Sequence, residues 1–151
     1  MARSEQAIFT VLVMVENELG QILVENRVDP DWPGICFPGG HVEAAEAFTD
    51  AAVRETCEET GLTIKDPRLC GIKQFQTDND ERYVVFFYKA TRFSGTLTSS
   101  DEGEVLWLYR EELNRYTLAT DFLDMLKVFD CENISEFVYR RHGENWDFEL
   151  L

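Results

Sequence analysis

Histidine is almost missing from this sequence: His41 and His142 are the only two. Triad-type nucleophilic catalysis therefore lacks its base, and no glycine-flanked serine elbow is present. A Cys/His zinc site is equally short of ligands. The four cysteines, at 36, 57, 70 and 131, form no CxxC pair, and neither histidine stands at ligand spacing from one. Such sparse cysteine predicts reduced thiols rather than a disulfide framework, and with it a cytoplasmic protein. Positive charge is also scarce. Fourteen Lys and Arg face 29 Asp and Glu, a net charge of −15, which argues against gripping polymeric nucleic acid through its phosphates or docking on anionic lipid. A small nucleotide is not excluded, because a divalent cation held by carboxylates inverts the local field. No stretch approaches the ~18 consecutive apolar residues of a membrane span. Ala7–Val15 superficially resembles a signal-peptide core, but Glu16 and Glu18 replace small cleavage-site residues, and Val11, Val13 and Val15 favour a strand. There is no internal repeat and no Ser/Gly linker.

What remains is a chain of 151 residues, 44% of them apolar, with eleven Phe, five Tyr and three Trp. The length predicts one domain over 1–151, able to bury roughly 70% of its unfolded surface without a staple. Residues 7–15 read as a strand covered on both faces, and residues 21–25 as the returning strand, so that the first 27 residues predict a β-hairpin. Residues 29–40, punctuated by Pro30, Pro33, Gly34, Pro38, Gly39 and Gly40, predict a loop with specified turns. Residues 49–60 predict a helix closed by Gly61 at its C-cap. Strands follow at 69–76, 82–93 and 105–109, a second amphipathic helix at 120–129, and a hairpin from 136–141 and 146–150. Strands in runs with two separated helices predict an α+β fold: a mixed central sheet flanked by helices.

The informative stretch is Gly39–Leu62. On a helix, Glu55, Glu58 and Glu59 stand at i, i+3 and i+4, within roughly a 100° arc of one face. Three such carboxylates alone describe a solvated acidic face. The adjoining Gly39-Gly40 changes that reading, because glycines permit a close backbone approach. Hard divalent cations take oxygen ligands and need only one or two carboxylates plus substrate phosphate. Arg54, just beyond the Glu face, is positioned to pair with Glu46 and hold the entry loop against the helix.

Gly40, five residues, Glu46, seven residues, then Arg54-Glu55-Thr56-Cys57-Glu58-Glu59-Thr60-Gly61-Leu62 resembles the Nudix box, G-x5-E-x7-R-E-U-x-E-E-x-G-U, where U is a bulky apolar residue. All seven Gly, Glu and Arg positions agree, and Phe37-Pro38-Gly39 before them also fits. Thr56 departs from the pattern, standing where an aliphatic residue is usual; its hydroxyl is expected to bond a carbonyl one turn back. Ala45 and Ala47 replace the usual Gly and Ser/Thr, so the helix lacks a hydroxyl N-cap, a loss of about 1 kcal/mol.

The resemblance implies an α/β/α sandwich that hydrolyses a nucleoside diphosphate linked to some group X, with Mg2+ or Mn2+. By matching positions it implies Glu55, Glu58, Glu59 and the carbonyl of Gly39 as metal ligands. Glu55 is the assigned general base beside Arg54, and Gly40, Glu46 and Gly61 are the box's structural positions. Family members often add an acidic ligand from a late loop, which here is Asp101-Glu102-Gly103-Glu104, with Glu102 as the choice. Phe37, Trp32 and Phe75 are candidate base-stackers; an aromatic in a β-rich domain is more often core, the alternative for Phe37 and Phe75, whereas Trp32, among Pro and Asp, is expected near the cleft mouth. Short length, Phe37 before Pro38-Gly39-Gly40 and the acidic loop look most like MutT-type triphosphatases acting on oxidised purine nucleotides such as 8-oxo-dGTP. A hydrolase of another dinucleotide or nucleotide-sugar is the alternative. A non-catalytic nucleotide sensor is less favoured, because every box carboxylate is present. Monomer and homodimer both stay open.

Overall fold

The structure, a computed structural model, describes residues 3–151. Strand β1 (Ala7–Val15) runs parallel to β7 (Arg82–Ala90) and antiparallel to the short β4 (Gly39–His41). Beyond β7 lie β6 (Arg68–Gln76), β10 (Glu136–His142) and the edge strand β11 (Asn145–Leu150), giving a six-stranded mixed sheet ordered β11-β10-β6-β7-β1-β4. A second sheet is ordered β3-β2-β9, from β3 (Gly34–Cys36), β2 (Ile22–Arg27) and β9 (Gly103–Leu108). Strands β5 (Leu62–Lys65) and β8 (Arg92–Gly95) form a separate antiparallel pair.

The near-continuous apolar run of β1 is explained by two cores, one on each face of its sheet. Leu12 and Met14 point into a cluster with Phe37, Phe87, Phe122 and Phe129, built around helix α2 (Phe122–Asp130). Val11, Val13 and Val15 point the other way, toward Ala51 and Ala52 of helix α1 (Phe48–Thr60). This is the mixed, helix-flanked sheet expected from the order of elements. Helix α1 ends at Gly61, whose φ of 75° is the left-handed C-cap conformation. The Thr56 hydroxyl donates to the carbonyl of Ala52 at 2.8 Å, as expected for a hydroxyl in a buried arc. At the other end, Ala47 makes no side-chain cap.

Three local expectations are corrected. The first 27 residues do not continue as a hairpin: beyond the turn, with its Asn17 N–H to Gln21 O hydrogen bond and a bridge between Glu16 and Ile22, β1 and β2 lie in different sheets. Both edges of β1 are taken by β7 and β4, while β2 pairs with β3 and β9. Turn chemistry at 16–20 is the same for either outcome, and the strands that take the edges of β1 decide between them. The loop at 29–40 contains β3 and β4, since Gly34–Gly39 is buried and its backbone must be paired; Ile35 N–H donates to Thr117 O, and Val13 N–H to Pro38 O. The strand at 82–93 breaks at exposed Thr91, after which β8 leaves to pair with β5. The C-terminal hairpin forms as expected. All four cysteines are free, and no described helix is long and apolar enough to cross a membrane.

Candidate active site

Three elements deliver carboxylates to one place. Strand β2 carries Glu25 inward, as a single charge following the buried Ile22-Leu23-Val24. The β2–β9 ladder pairs Asn26 with Glu104 and Arg27 with Gly103, and continues as a hydrogen bond from Val28 N–H to Glu102 O at 3.1 Å. Gly103 is required for this approach: a Cβ there would stand 2.2 Å from the Asn26 carbonyl oxygen. Helix α1 supplies Glu59, only 3% exposed, whose Oε2 accepts the Gly39 N–H at 2.9 Å. Carboxylate oxygens of Glu25, Glu59 and Glu102 all lie within 4.8 Å of one another.

The box glycines make room for this assembly. A Cβ on Gly39 would meet the Val11 carbonyl oxygen at 2.0 Å, and one on Gly40 would sit 2.6 Å from the Glu55 carboxyl. Glu55 therefore packs against a bare backbone turn and faces the same cavity as Glu59 and Glu102. Arg54 organises the rim. It donates to both oxygens of Glu46, to Glu55 Oε1 at 2.8 Å and to the His41 carbonyl at 3.0 Å. Glu58 points away: its side chain is 59% exposed, and it meets only the edge of Arg54 at 3.3 Å. The i, i+3, i+4 arc is thus divided, with Glu59 in the buried cluster, Glu55 at its edge and Glu58 toward solvent.

Burial pushes the Glu59 carboxyl well above the usual carboxylate range, and the adjacent Glu25 charge pushes it further, against the Gly39 N–H that favours the ion. Glu25 is raised by burial as well, with Arg27 opposing. Burial raises Glu55, and the Arg54 hydrogen bond opposes it. Glu46, in the grip of Arg54, is lowered to about 2. An all-oxygen donor set, including the unpartnered buried oxygens of Glu25, suits a hard divalent cation.

The cavity beside these groups encloses about 730 Å3. Trp32, Phe75 and Tyr83 contribute aromatic wall, the last two stacked with ring centroids 5.0 Å apart. Arg27 lies over the Trp32 ring at 5.5 Å. Phe37 is a correction: it is fully buried between Phe122 and Phe129, at 4.9 Å from each, and offers no face to a nucleotide. Glu25, Arg27 and Lys73, which also lines the cavity, were not singled out from sequence. The available signal was Glu25 itself, a charge directly following the apolar Ile22-Leu23-Val24 of a strand.

Against known proteins, the NUDIX domain profile matches residues 8–130. An 8-oxo-dGTP diphosphatase of Haemophilus influenzae is 29% identical over 104 residues, covering 67% of this chain and 75% of that protein. The CTP pyrophosphohydrolase of Escherichia coli is 26% identical over 121 residues, covering 79% and 88%. A crystal structure of the MutT protein from Bacillus halodurans superposes with a TM-score of 0.73 at 24% identity, over 95% of this chain and 97% of the other. The chain spans about half the length of two Bacillus subtilis relatives it matches, 48% of each. With the profile taking in most of the sequence, and Glu55 and Glu59 of the box lining one cavity, this chain belongs to the Nudix family.

Proposed function

We propose that the protein is a Mg2+- or Mn2+-dependent nucleotide pyrophosphohydrolase of MutT type, which cleaves an oxidised purine nucleoside triphosphate to the monophosphate and pyrophosphate. The observation that carries this reading is the set of converging carboxylates beside an aromatic-walled cavity large enough for a nucleotide. Glu59 and Glu102, with the Gly39 carbonyl, would hold the cation; Glu58, at the remaining family position, would have to leave Arg54 and turn inward to join them. When bound, a divalent cation neutralises phosphate charge and orients the anhydride for in-line displacement.

The chain's own residues have separable tasks. Glu55 is the general base: burial weakens its acidity, which raises its appetite for the proton of an attacking water. Arg54 orients that carboxyl through the 2.8 Å hydrogen bond. Water oxygen bonds to one phosphorus of the α–β anhydride, the bond from that phosphorus to the bridging oxygen breaks, the water proton passes to Glu55, and monophosphate and pyrophosphate separate. Trp32 and the Phe75–Tyr83 pair offer stacking faces for the base, with Arg27 nearby for phosphate charge.

The test is a substrate panel with Mg2+, analysed by product. Monophosphate plus pyrophosphate from an 8-oxopurine triphosphate, faster than from the unmodified triphosphates, supports the reading. Preference for a pyrimidine triphosphate, a dinucleotide or a nucleotide-sugar would replace its substrate. A blank across the panel would point to a sensor.

A further inference from the structure

We propose that Glu25 is a direct ligand of the divalent cation, supplied by the second sheet to a site whose other carboxylates come from α1 and the loop before β9. The inference rests on the cation-dependent reading above and adds to it a residue outside the box. Glu25 is 0% exposed, and neither of its carboxylate oxygens has a hydrogen-bond partner. The nearest cation, Arg27 Nη1, stands 3.9 Å from Oε2, beyond hydrogen-bond reach. A buried carboxylate left in that condition is strongly disfavoured, and relief has to come from whatever it faces. It faces Glu59 and Glu102.

Two arrangements would relieve it. Glu25 and Glu59 could share a proton, or all three carboxylates could share a cation. Proton sharing needs two carboxyls and gives no role to Glu102, which the Gly103 close approach and the Val28–Glu102 hydrogen bond bring to the same spot. The charges favour the cation. Three carboxylates and the Arg27 guanidinium sum to two formal negative charges, which one divalent ion balances. Glu102 is exposed and leaves the cavity side open for water and phosphate, the incomplete protein shell that Mg2+ ordinarily accepts.

The experiment measures Mn2+ binding by the EPR signal of the free ion, and the Mn2+-induced rise in melting temperature, without substrate. Wild type, Glu25→Gln, Glu25→Met and Glu59→Gln are compared. Loss of even an outer-shell partner costs roughly 10–100-fold in metal affinity, so each Glu25 variant is expected to bind at least about tenfold more weakly. In EDTA both should melt at or above wild type, because a buried unpaired charge is gone. Glu25→Met keeps the test alive should the Gln variant fold poorly. If Glu59→Gln loses Mn2+ while the Glu25 variants bind like wild type, Glu25 is only a proton-sharing neighbour and the inference falls alone. If wild type binds no Mn2+, the cation-dependent function falls with it.

Discussion

Arg54 and Glu46 form a two-pronged ion pair, Nε to Oε1 at 2.7 Å and Nη2 to Oε2 at 2.9 Å, between helix α1 and the loop that enters it. The same guanidinium holds Glu55 and the His41 carbonyl, so one side chain sets the position of loop, strand β4 and the proposed general base together. Lysine has no planar fork to replace it. Arg54→Lys should lower kcat on the order of 10–100-fold, the scale of a small misplacement of a catalytic group, and leave the fold intact by circular dichroism. Glu46→Gln should act in the same direction. It should also remove an acid-side dependence: a carboxyl lowered to about 2 contributes stability above its ordinary pKa, lost as pH falls toward 2. Urea midpoints between pH 5 and 2 read that difference.

Glu59 carries the opposite sign. Its folded-state pKa is raised, so its contribution to stability is fully present below the ordinary carboxylate value and is lost as pH rises past it. In EDTA, the wild-type urea midpoint should therefore decline from about pH 5 upward, the start of that window being set by the ordinary Glu pKa of ~4.3. Glu59→Gln should flatten the decline. Turnover of this variant should fall by orders of magnitude, because cation binding supplies several kcal/mol of transition-state stabilisation. Near-normal turnover would remove Glu59 from the site.

The loop before β9 offers an internal control. Glu102 lies in the carboxylate cluster, whereas its neighbour Asp101 is exposed and outside it. Glu102→Gln should lower kcat with little change in KM, since the lost interaction matters mainly in the transition state. Asp101→Asn should behave as wild type under saturating Mg2+. Equal, mild effects would mean a solvated turn.

Phe37 and Trp32 separate packing from recognition. Phe37→Ala, in the core beside Phe122 and Phe129, should cost about 3–5 kcal/mol by chemical denaturation. Trp32 stands at the cavity rim, half-buried. Trp32→Ala should raise KM severalfold while leaving the unfolding midpoint nearly unchanged.

The box itself was legible without a structure because its spacing encodes local geometry. Residues i, i+3 and i+4 must share a helix face, Gly61 must cap it, and Arg54 can reach back to Glu46 in the loop that enters the helix. The mixed helix-flanked sheet was readable too, since apolar runs and their order constrain layers. Strand partners were not: the turn after β1 suits a hairpin as well as a change of sheet, and the hairpin is excluded because β4 and β7 take both edges of β1. Phe37 and Trp32 both stood as candidate base-stackers, and packing put the first in the core, the more common place for an aromatic in a β-rich domain, and left the second at the cavity. Glu25 and Glu102 are far apart along the chain, and nothing local relates them. The β2–β9 register and the bare backbone of Gly103 bring them together, because long-range pairing depends on which surfaces the whole fold must bury.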